Sequence, residues 1–202
     1  MNQLKNDSII ANRRLLYLFE LEEYPQDGRL AKYEKELIHL LKIKDNEGII
    51  DFSERIFWKD CKSYLESSFK LKIPKLFLNL LNHRAYTDLC GKLDWLIEGK
   101  PRTNAIIYGN KSGGPPNISI DFEKHFSFFE STGKPINFLI NLIVSYIEEL
   151  IHSADISKSE TDIHQITCDA FEGFAEVKLT DEIKKNRLNY SKKVDETKNS
   201  GD

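Results

Sequence analysis

Two short stretches of this 202-residue chain place carboxylates and imidazoles in helical register. In the first, Glu148, Glu149 and His152 end an apolar run. In the second, Glu160 and His164 stand four residues apart, with Cys168 one turn further on. Residues three or four apart share one face of an α-helix, so each stretch aims its acid and its imidazole the same way. Only a few residues around Ala154-Asp155-Ile156 join the two stretches, which predicts an antiparallel helix pair or a tight corner. Glu148, His152, Glu160 and His164 would then offer oxygen and nitrogen ligands to one divalent metal. A plainer reading stands beside this one. Ser157-Lys158-Ser159-Glu160 fits a capping box, which makes Glu160 the cap glutamate. His164 is then a half-buried histidine bonded to backbone.

The element that must carry the first stretch is a helix predicted from Pro135 to Ser153, apolar nearly all round and therefore expected in the core. Its polar residues, Asn137, Asn141, Ser145, Glu148, Glu149 and His152, form one narrow stripe. A carboxylate buried without a partner is costly, so the stripe must meet either water or a ligand. The second helix is predicted from Ser157 to about Val177. Ahead of the pair, the β-branched run Thr103 to Tyr108 and the alternating run Asn117 to Phe122 flank a Gly/Pro-rich loop, which reads as a β-hairpin. Four helices are expected before it: Ser8 to Tyr24, Arg29 to Lys44, Asp51 to Phe69, and Pro74 to Ile97. Past Asp181 the polar composition predicts a disordered tail. The fold class is α+β, mainly α. Residues 1–98 form an N-terminal helical region, 99–180 the hairpin with its helix pair in one compact unit with 1–98, and 181–202 the tail.

The run Glu148-Glu149-Leu150-Ile151-His152 resembles the active-site helix of a zincin metallopeptidase, whose motif is HExxH. The downstream Glu160-Thr161-Asp162-Ile163-His164 is similar to the place where gluzincin-like families supply a further ligand. The strands before Pro135 also lie where zincins put sheet. The resemblance covers residues 103–177 and leaves the N-terminal helices unexplained. It implies a metal-dependent hydrolase acting on a peptide or protein substrate, or an inactive relative of one. Glu149 falls on the general-base position and His152 on a ligand position. Zinc is the metal implied first. The family's first ligand histidine is Glu148 here, so either its carboxylate coordinates, in a more oxygen-rich site that suits manganese or iron, or the site has lost its metal. A four-helix di-iron centre ranks lower, because it needs two ExxH pairs and only Glu149/His152 has that spacing.

Composition narrows the alternatives. A net charge of −3 lacks the basic excess that phosphate binding demands, so nucleic acid is not an expected partner. The start of the chain lacks a signal-peptide core and the longest apolar run is too short for a bilayer, which makes a membrane partner unexpected and a cytoplasmic location the simplest expectation. Cys61, Cys90 and Cys168 are widely spaced and form no CxxC pair, so free thiols are expected. The rival reading is a non-catalytic interaction or regulatory protein whose polar stripes are surface. A weaker third reading is a helical nucleic-acid-associated protein of a mobile element.

Overall fold

The computed structural model describes residues 21, 24–97, 99–109, 114–155 and 157–199. Apart from Leu21 and Tyr24, the first expected helix, 8–24, lies outside them, as do residues 110–113 of the Gly/Pro-rich loop. Among the described residues the protein is mainly helical with a small sheet, the α+β class expected. No helix there is long and apolar enough to cross a membrane.

Arg29–Ile43 (α1) presents Leu30, Tyr33 and Leu37 to the core and stops at Lys44, whose left-handed backbone returns its N–H to Leu40 and Leu41. Asp45 then caps Asn46–Arg55 (α2), its carboxylate accepting the Gly48 N–H at 2.9 Å. The helix continues through a wider π turn, Ile56–Cys61, into Lys62–Ser68 (α3). That turn delivers Ile56, Phe57 and Cys61 into the core together, and Phe57 meets Tyr146 edge-on at 5.0 Å.

The segment from Pro74 to Ile97 corrects the expectation of one helix. Phe77–Leu81 (β1) is a strand, and Asn82 caps a separate helix, His83–Lys92 (α4), by accepting the Ala85 N–H at 2.8 Å. A short ribbon follows, Leu96–Ile97 (β2) with Lys100–Pro101 (β3), and then Ala105–Tyr108 (β4) and Asn117–Asp121 (β5). β4 and β5 pair antiparallel as the expected hairpin, Ala105 facing Ile120 and Tyr108 facing Asn117. β1 adds in parallel on the other side of β5. This pairing decides the conformation of Phe77 to Leu81. The run is apolar enough for helix or strand, and the open edge of β5 supplies the partner that local periodicity cannot reveal. The sheet is covered on both faces, as the alternation along β4 records: Ala105 and Ile107 join the main core, whereas Ile106 and Tyr108 pack with Tyr86 and Cys90 of α4.

Asp121 caps Phe122–Thr132 (α5) through the Lys124 N–H. The central element is Pro135–Ala154 (α6), with proline in the first turn and buried residues on every side. α1, α3, α5, β4 and the π turn all pack on it. Phe126 of α5 lies edge-on to Phe138 at 5.4 Å. Glu160–Ala175 (α7) returns against α6, and one buried apolar cluster runs from Leu30 to Leu179. The polar segment after Thr180 is a second correction. Asp181–Asn199 (α8) is a helix packed on α7, not a disordered tail. Its start is fixed by the Thr180 hydroxyl accepting the Ile183 N–H at 3.3 Å and by Lys184 reaching Glu172 at 2.9 Å. Among its described side chains the inward groups are Ile183 and the charged Arg187, and an inward arginine is what composition misreads.

Two measurements check this packing. Phe57→Ala opens a void beneath α6 and should lower unfolding free energy by about 4 kcal/mol in a urea melt. His125 of α5 is buried, with Nδ1–H donating to the Asp121 carbonyl at 2.8 Å and Nε2 accepting from Ser145 of α6 at 2.9 Å. Burial outweighs these contacts and lowers its pKa. A histidine held neutral in the fold gives stability that is present above its unfolded pKa, about 6.5, and is lost as pH falls below it. The urea midpoint should therefore drop between pH 7.5 and pH 5.5, and the drop should shrink in His125→Gln.

Candidate metal centre

The polar stripe of α6 faces protein along its length. Asn141 donates to the Asn137 carbonyl at 2.7 Å, Ser145 meets His125, and Glu148 and His152 face α7.

Local chemistry positions α7. Its cap is Ser159, whose hydroxyl accepts the Asp162 N–H at 3.0 Å. The helix thus starts two residues later than expected, and Asp162 takes the place of the cap acid, its carboxylate 2.8 Å from the Ser159 hydroxyl. Glu160 is the first helical residue and its carboxylate reaches back across the corner to His152, 3.5 Å away. One turn on, His164 is almost wholly buried and its Nε2 lies 2.8 Å from Oε1 of Glu148.

Glu148, Glu160 and His164 each offer a ligand atom, and these atoms all lie within 4.8 Å of one another. Ligands bind zinc at about 2.0–2.2 Å, so donors at tetrahedral positions on a shared ion stand about 3.3–3.6 Å apart; the 2.8 Å contact of His164 with Glu148 would have to open to admit one. Two carboxylates and an imidazole fit a divalent ion of intermediate hardness. Of the four residues expected as ligands, three converge, and His152 is the outer neighbour of Glu160. Glu149, expected as the base, is 7% exposed on the same turn of α6.

A residue that the sequence reading missed completes the cluster. Arg187 of α8, 5% exposed, hydrogen-bonds Oε2 of Glu148, so both oxygens of that carboxylate are engaged. The signal was available: Thr180 followed by Asp181 and Glu182 is a helix start, and Ile183 and Arg187 share the inward face one turn apart.

The electrostatics follow from these contacts. Burial opposes ionisation of Glu148, but Arg187 and then His164 overcome it and hold its carboxyl well below the usual range. At Glu149 the balance is the reverse. Burial, with the like charges of Glu148 and Glu160, outweighs His152 and pushes it up to about 8. His152 goes up to about 9, because the hydrogen bond to Glu160 and the nearby carboxylates outweigh its burial. A second pair, His83 and Asp121 at 2.6 Å, ties the start of α4 to the end of β5; its histidine is exposed and its aspartate buried.

The Glu148–Arg187 pair should show a large coupling in a double-mutant cycle. Arg187→Met and Glu148→Gln each strand a partner and should cost about 2–3 kcal/mol, below the fully buried case because Glu148 keeps some solvent contact. The double variant should cost clearly less than the sum; simple additivity would show that the pair carries no stability. Comparison with known proteins finds no family model that matches this chain, and no curated protein or solved structure similar to it.

Proposed function

We propose that this chain is a metal-dependent hydrolase of the zincin type, with Glu148, Glu160 and His164 as its ligands and a peptide or protein as its substrate. The observation that carries this reading is the convergence of the three ligand atoms within 4.8 Å at the corner between α6 and α7. Zinc is the first candidate, and the two carboxylates also suit manganese or iron. A divalent ion supplies one thing here, the acidification of a water molecule near neutral pH. The chain supplies the rest. Glu149, beside the ligand turn, is the group that would accept a proton from the attacking water and return it to the leaving amine once it is ionised, which its burial delays to about pH 8. His152, held by Glu160, orients that carboxylate from outside the ligand group.

One observation favours a second reading. Arg187 and His164 already satisfy both oxygens of Glu148, so the cluster also works as an ion-paired staple in a non-catalytic interaction or regulatory protein.

Calorimetric titration of the purified chain with zinc and with manganese separates the two. The hydrolase reading expects one equivalent bound, with affinity weakened at least about 10-fold in Glu160→Ala and in His164→Ala. Glu149→Gln should keep the metal and lower peptide hydrolysis about 100-fold or more. Failure of either ion to bind, or binding indifferent to both ligand substitutions, favours the staple.

A further inference from the structure

We propose that α8 is a displaceable latch, in which Arg187 holds Glu148 in the place of a cation and is released when a divalent ion binds Glu148, Glu160 and His164. This inference rests on the metal-centre reading above.

The geometry of one carboxylate is the starting point. Oε1 of Glu148 faces His164 and Oε2 faces Arg187. An ion bound among Glu148, Glu160 and His164 brings two positive charges to the carboxylate that already carries the guanidinium. Like charges at that separation, among largely buried side chains, repel strongly. The ion also draws on the same carboxylate charge that makes the arginine contact favourable. Binding of the ion and docking of Arg187 are therefore linked, and each must weaken the other by the same factor.

The construction of α8 lets this competition move something. Its first turn is anchored by contacts that do not involve Glu148. Glu172 accepts the Leu179 N–H at 2.7 Å and the Lys184 ammonium at 2.9 Å, Thr180 caps the helix, and Val177 and Leu179 are buried just before it. Past Lys184, Arg187 is the deeply buried residue among the described side chains; Lys185 and Asn189 are exposed and Asn186 and Leu188 half-buried. Among the described side chains from Lys185 to Asn189 the apolar one is Leu188, half-buried, so release of Arg187 costs that turn little apolar burial. The anchor at Glu172 then serves as the pivot, and the face of the cluster that Arg187 covered is opened to solvent and substrate.

Hydrogen exchange on the full-length chain, with and without zinc chloride or manganese chloride, reads the latch directly, and calorimetry on wild type and Arg187→Met reads the linkage. The expected result is faster exchange of α8 amides beyond Lys184 on metal addition, unchanged protection in α6, and metal affinity about 10-fold tighter in Arg187→Met. Metal binding with α8 protection unaltered and equal affinity in the two proteins overturns the latch while leaving the metal centre standing. Binding of neither ion to either protein overturns the centre and the latch with it. Should Arg187→Met fail to fold, Arg187→Lys replaces it, and the exchange experiment on wild type decides by itself.

Discussion

The burial of α6 on every side is the constraint from which the rest of the structure follows. A twenty-residue helix sunk in the core satisfies its own backbone, but its polar side chains must be paired as well, Asn141 by a carbonyl of α6 itself and others by neighbouring elements. That requirement brings His125 from α5 to Ser145, His164 from α7 to Glu148, and Arg187 from α8 to the same carboxylate. The neighbouring helices are thus placed by two demands at once: apolar area against Phe138, Ile147 and Ile151, and polar complements against the stripe. The second demand is the more specific, because a carboxylate accepts few arrangements whereas leucine and isoleucine accept many.

Where the chain was legible, the information was local. The apolar run of α6, the alternating residues of β5 and the capping pattern at 157–160 before α7 are each local to the element they specify; α6 and β5 appear as expected, and α7 starts two residues later. Phe77 to Leu81 failed because its conformation is set by β5, forty residues away in sequence. The helix from Asp181 failed for a related reason: among its described side chains the inward groups are Ile183 and an arginine, and an arginine contributes to docking only when an acid awaits it. Composition weighs arginine as solvated and so reads such a helix as unstructured.

The candidate site divides along the same line. Glu148, Glu160 and His164 were selected by spacing on two adjacent helices, and spacing was sufficient to bring them together. His152 was selected on the same ground and stands one contact further out, because the cap falls at Ser159 and not at Ser157. A two-residue shift in a helix start is invisible in composition, yet it turns Glu160 from a capping acid into a group that faces across the corner. Arg187, which periodicity on α6 and α7 could not supply, is the residue that decides how Glu148 is neutralised.

The position of the cluster along the two helices strengthens the case that it was built around positive charge. Glu148 and His152 lie in the last turns of α6, where unpaired carbonyls make the helix end partly negative and favour a cation. Glu160 is the first residue of α7, where the partly positive N-terminus stabilises a carboxylate. One helix end thus attracts a cation to the corner and the other holds in place the acid that would bind it. Arg187 enters from α8 into the same field. Its guanidinium, always charged, is among the described residues there the positive group that cannot be discharged by losing a proton. A competitor for Glu148 must therefore outbid a permanent charge, and a divalent ion carrying two further ligands from α7 has the means to do so.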